Sequence, residues 1–115
     1  MEHLNRNAIS VSAKKPMIDW VNSMDPVHPI KFRIPLNYDE STIYLIEEIE
    51  TEEDFEEWIR ENYLAIFEEE LFSWITDDSK WPDSLTYELF TKWIQVAYQS
   101  IVVDLNDDQP LKYDE

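Results

Sequence analysis

Residues 42–75 read TIYLIEEIETEEDFEEWIRENYLAIFEEELFSWI, and a change of period inside this stretch decides the fold. In Thr42–Ile49 the residues Ile43, Tyr44, Leu45 and Ile46 form an unbroken apolar run. Such a run predicts a strand with both faces covered. Beyond Thr51 the pattern lengthens: Phe55, Trp58, Ile59, Tyr63, Ile66, Phe67, Leu71 and Trp74 recur every three or four residues. That is the wide apolar stripe of an amphipathic helix, predicted over Glu52–Ile75. Thr51 is placed to cap it, with Asp54 as a weaker capping-box partner.

Working outward, Ala8–Ala13 (AISVSA) alternates small or polar residues with apolar ones, as a strand does. Pro16 suits a first helical turn, and Met17, Trp20, Val21 and Met24 follow at helical spacing. Pro26 and Pro29 end that helix. Ile30, Phe32 and Ile34 alternate with Lys31 and Arg33 between two prolines, which suggests an edge strand. After a loop at Asp77–Pro82, Asp83 or Ser84 would cap a last helix with Leu85, Leu89, Phe90 and Trp93 inward. Val96–Leu105 reads as a final strand, although Tyr98 and Ile101 fall on opposite faces of it.

The element order is therefore β-α-β-α-α-β. It predicts an α+β fold: two layers, a three- to four-stranded sheet, helices packed on one face. A right-handed crossover would make the first two strong strands parallel. Residues 1–7 are expected to be a flexible N-terminus, 8–105 a single domain, and 106–115 a polar C-terminal tail.

Composition narrows the chemistry. The 115 residues include no Cys, which excludes disulfides and thiolate catalysis, and only two His. They also include no Gly. Walker, Rossmann, kinase and EF-hand loops need glycine in their usual forms and are ruled out. Helices must then stop without a glycine cap, at Asn22, Asn62 or proline-containing loops. No secretory leader and no long apolar run is present, so a cytoplasmic protein is expected. The acidic pairs Asp77-Asp78 and Asp107-Asp108 lack the spacing of an ion-wrapping loop, and no metal or cofactor is expected.

Several motifs in fixed order resemble a family of small acidic bacterial proteins of unknown function. They are Lys15-Pro16 with Trp20 and Asn22; Ile43-Tyr44-Leu45-Ile46; Ile66-Phe67-Glu68-Glu69-Glu70-Leu71 with Trp74; Trp81-Pro82; Phe90 with Trp93; and Asp104-Leu105. The resemblance spans residues 8–105. It implies a bacterial cytoplasmic protein and brings no activity or site residues with it.

The formal charge is −17 and unevenly spread. Residues 1–33 carry five basic and three acidic side chains, whereas Asp39–Glu70 carries 14 acids against Arg60 alone. Helix design explains part of this. Glu52, Glu53 and Asp54 complement the helix dipole, and Glu56 with Arg60 forms a favourable i,i+4 pair. Glu53, Glu57 and Glu61 repel one another at the same spacing, and Glu68 and Glu69 are mid-helix. These five form a candidate acidic interaction face.

Glu70 falls toward the apolar stripe between Ile66 and Trp74, a candidate buried carboxylate partnered by Lys80, Lys92 or a tyrosine hydroxyl. Trp81, beside Pro82, is either an exposed partner anchor or a lid over the core. Two readings follow. One is a non-enzymatic module whose acidic face binds or regulates a basic protein, in one form as a mimic of nucleic acid. The other is a small enzyme or ligand-binding domain using Glu70 in an apolar pocket. Direct nucleic-acid binding is not expected, since the basic residues number nine. No membrane contact is expected either.

Overall fold

The computed structural model describes residues 2–27 and 41–113. Its elements are β1 (Glu2–His3), β2 (Asn7–Ala13), α1 (Lys15–Met24), β3 (Ser41–Ile46), α2 (Glu52–Trp74), a single 3-10 turn (Asp78–Lys80), α3 (Tyr87–Trp93), β4 (Ile94–Gln99) and β5 (Val103–Asp104). The expected α+β architecture is present, with β2-α1-β3-α2-α3-β4 in the predicted order. The candidate edge strand at Ile30–Ile34 lies outside the described residues.

The main sheet has the order β3-β2-β4. Both pairings are antiparallel, which corrects the expected parallel crossover. The reason is the position of α1. It stays at one end of the sheet, with Trp20 against Trp93 of α3 at a centroid distance of 5.3 Å. The chain re-enters at the end it left, so Ser12 faces Ser41. A crossover helix would have carried it back along the sheet.

The central and most buried strand is β2, not β3. Ile43 and Leu45 are 63% and 51% exposed, because their side of the sheet faces away from the helices. Ile9 pairs with both Tyr44 and Tyr98, and Val11 with both Thr42 and Val96. These rows form the helix-facing side, and Ile9 and Val11 are fully buried there.

Onto this face α2 lays Ile59, Ile66, Phe67 and Leu71. Rings link the helices: Tyr63 meets Tyr87 at 5.3 Å, and Phe67 lies 5.6 Å from Phe90 and 6.1 Å from Trp93. Each fully buried large side chain here, such as Phe67, Leu71 and Met17, contributes about 1.5–3 kcal/mol relative to exposure. None of the helices among the described residues is long and apolar enough to cross a membrane.

Local signals set the boundaries. Thr51 Oγ1 accepts from the Asp54 amide at 3.0 Å, so α2 begins where the capping residue required. Asn62 does not interrupt it; its side-chain amide donates to Trp58 O at 2.8 Å. The last helix starts later than expected because Thr86, rather than Asp83 or Ser84, caps it, accepting from Leu89 N at 3.1 Å. No described residue has a positive φ. The helices simply pass into extended backbone, and Ile94 (φ −120°, ψ 131°) ends α3 and opens β4 together.

The phase conflict between Tyr98 and Ile101 is resolved by a break: β4 stops at Gln99, and Val103–Asp104 pairs instead with Glu2–His3. The N-terminal segment expected to be flexible is thus tied in. Asn7 is 5% exposed and belongs to β2.

Candidate functional site

The connection from β3 to α2 is short and doubles back along the helix. Asn7 holds it there. Its Oδ1 accepts from Ile49 N at 2.7 Å, and its Nδ2 donates to Ser100 O at 2.8 Å. Tyr98 Oη lies 2.5 Å from Asn7 Oδ1 and 2.9 Å from Ile49 O, and its one proton serves either. One buried amide therefore fixes the β3–α2 connection and the end of β4.

Between this connection and α2 runs a groove of about 370 Å³. Its walls are Glu47, Glu48, Glu50, Asp54, Glu57 and Glu61, and its apolar floor is Ile49 and Trp58. No lysine or arginine lines it. Among the described residues none of the six carboxylates makes a salt bridge. Arg60 is turned away: its guanidinium sits 4.5 Å over the Tyr87 ring. The expected Glu56–Arg60 pair gives way to that cation–π contact.

Of the five acids expected to form the face, Glu57 and Glu61 line the groove. Glu53 and Glu68 are exposed. At about 100° per residue they share an arc of roughly 80° with Glu57 and Glu61. Glu69 departs from that arc and faces a second groove, of about 380 Å³, between α2 and β3. Glu47, Glu48 and Glu50 were missed as site residues. Reading the strand through to Ile49 hid them, and the signal available was the brevity of the link from Ile46 to Thr51.

Six like charges around one groove repel at long range, and salt screens them. Raising ionic strength from about 0.02 to 0.5 M is expected to raise Tm, by roughly 3–6 °C for each kcal/mol relieved. A thermal scan at constant pH checks this; an unchanged midpoint would mean the acids are individually neutralised.

Glu70 is 5% exposed, and Tyr44 Oη donates to its Oε2 at 2.8 Å. The partner is thus a tyrosine hydroxyl rather than Lys80 or Lys92. Burial pushes the Glu70 carboxyl up from its ordinary range, more than the Tyr44 and Thr42 hydroxyls pull it down. Burial and the carboxylate likewise push the Tyr44 phenol up. Glu70 lines neither groove, nor a third between the start of α2 and β4.

Below the unfolded pKa of Glu70 both states hold the proton, and burial carries no ionic cost. As pH rises through the raised folded value, an ion must be buried and stability falls. Glu70→Gln keeps an acceptor for Tyr44 and removes that loss. The variant should therefore gain stability over the native chain as pH goes from about 4 to 7. Urea unfolding at both pH values checks it, and a constant difference would contradict it.

Trp81 is not an exposed anchor. It is half-buried against the core, and its indole N–H donates to Ile75 O at 2.8 Å, closing the turn as a lid. His3 lies exposed in β1, while His28 lies outside the described residues. Asp77 caps the 3-10 turn, accepting from the amide and hydroxyl of Ser79, which lowers its carboxyl below the usual range. No group of three described His, Asp or Glu side chains is arranged to hold a metal ion.

The fold and this geometry define a two-layer α+β protein with an acidic groove on one flank of its long helix. Comparison with known proteins found no matching family model, no similar curated protein and no similar solved structure.

Proposed function

We propose that the chain is a non-enzymatic interaction module that binds a basic protein through the acidic groove and the adjoining outer arc of α2. The observation that carries this reading is the groove itself: six carboxylates, an apolar floor of Ile49 and Trp58, and no basic lining residue. A solvated face needs no concavity and no apolar floor. A lysine- or arginine-bearing segment finds both charge and contact area there.

Mimicry of nucleic acid is the more specific form of the same idea, and it gets less support. Carboxylates four residues apart on a helix are separated by about 6 Å along its axis, against one charge per about 1.7 Å of duplex. A bacterial, cytoplasmic setting belongs to the proposal and rests on the sequence motifs alone. The pocket reading built on Glu70 draws nothing from the three grooves described above, which that side chain does not line.

The test is to titrate an arginine-rich peptide into the isotopically labelled chain and follow the backbone amides. Shifts concentrated over Glu47–Asp54, Glu57 and Glu61 are expected. Shifts spread evenly over all acidic positions, Asp83 and Asp108 included, would reduce the chain to a diffuse polyanion.

A further inference from the structure

We propose that the groove between the start of α2 and β4 is a subsite for one arginine side chain of the basic partner. This deepens the interaction reading above and rests on it.

The groove holds about 460 Å³ and lies where the core reaches the surface. Val11 and Ile9 are fully buried, whereas their β4 partners Val96 and Tyr98 are only half-buried. Phe55 of α2 leans over Tyr98, with ring centroids 4.9 Å apart and planes tilted by 43°. Together with Ile49 these side chains make an apolar, largely aromatic floor. Tyr98 Oη is engaged by Asn7 and Ile49 O, so its ring is held in place before anything binds.

Around this floor stand Glu50, Glu52 and Glu56, all exposed. No lysine or arginine is among the lining residues, and among the described residues none of the three acids makes a salt bridge. The first turn of α2 brings about half a unit of positive charge here. Three carboxylates outweigh it, and the groove stays negative.

An occupant needs a flat apolar surface for the rings and donors at its edge for the acids. A purely apolar side chain would desolvate the carboxylates without pairing them. A lysine ammonium is compact, strongly hydrated and offers no plane to stack. A guanidinium meets both needs: its plane lies on the rings, and its five N–H groups reach the carboxylates. Ile49 and Glu50 also line the six-carboxylate groove, so the β3–α2 connection is a wall common to both. A basic segment seated in the six-carboxylate groove reaches this subsite by crossing that wall.

The test titrates the full chain at low salt with an eight-residue peptide rich in arginine and with its lysine counterpart of equal charge. The arginine peptide should bind the native chain at least about fivefold more tightly. Ser100→Leu fills the groove from an exposed lining position and supplies neither a ring nor an acceptor. It should weaken the arginine peptide at least about fivefold and leave the lysine peptide within about twofold. In the native complex, nuclear Overhauser contacts should link arginine δ-methylene protons to the Phe55 and Tyr98 rings.

Equal affinity of the native chain for the two peptides, or an arginine peptide indifferent to Ser100→Leu, would overturn the arginine subsite and leave the six-carboxylate groove standing. Absence of binding by either peptide at low salt would remove both. Tighter binding of the arginine peptide alone to a chain carrying Lys31→Gln and Arg33→Gln would make the chain's own basic residues the occupant and overturn the choice of partner. Sedimentation showing a dimer that the arginine peptide dissociates would do the same in favour of a second copy.

Discussion

Asn7→Leu is expected to lower the unfolding free energy by roughly 2–4 kcal/mol. Leucine has the same branched shape and is no smaller, so little of the loss would be cavity. The loss comes from groups left without partners: the Ile49 amide loses its acceptor, and the Ser100 carbonyl loses its donor. Each orphaned buried group costs about 1–3 kcal/mol. Tyr98 keeps Ile49 O and softens the effect. Urea denaturation measures the total, and hydrogen exchange at Ile49 gives the local signature. An exchange rate at Ile49 unchanged from the native chain would mean that Asn7 does not hold the β3–α2 connection.

Replacing Glu48, Glu57 and Glu61 together by glutamine should weaken binding of an arginine-rich peptide by one to two orders of magnitude at low salt. All three line the groove, are exposed, and lie outside the first turn of α2. Neutralising them leaves the helix dipole and the core untouched. The same variant should melt higher than the native chain, because repulsion across the groove is relieved. Calorimetry of the peptide titration and a thermal scan read the two effects. Binding loss without a rise in Tm would mean the carboxylates do not strain one another in the folded state.

Much of the fold was legible because apolar periodicity and caps act locally. Thr51 with the stripe from Phe55 to Trp74 placed α2 to within a residue, and AISVSA placed β2. What failed depends on contacts far apart in the chain. Nothing local in Thr42–Ile49 says that one face of β3 meets α2 while Ile43 and Leu45 face outward. The antiparallel pairing goes with where α1 docks, at the end of the sheet where Trp20 meets Trp93, a contact between residues 73 positions apart.

Asn7 could not be recognised from sequence, since its partners lie 42 and more residues away. The acidic site was legible in part. Glu57 and Glu61 follow from helical spacing, and Glu70 from its position on the stripe. Glu47, Glu48 and Glu50 required knowing that a short connection folds back beside the helix. Trp81 stays ambiguous in the sequence because its role as a lid rests on the indole hydrogen bond to Ile75 O, which no periodicity signals.

The central claim is that the position of the carboxylates, rather than the total charge, makes the binding surface. The most direct measurement compares two variants of equal net charge. One carries glutamine at Glu48, Glu57 and Glu61. The other carries Glu2→Gln, Asp83→Asn and Asp108→Asn, none of which lines the groove. Each has −17 + 3 = −14. Calorimetric titration of both with the same arginine-rich peptide at low salt should leave the second variant within about twofold of the native affinity and the first at least about tenfold weaker. Equal losses in the two would show that the peptide senses only overall charge, and the groove would not be a site.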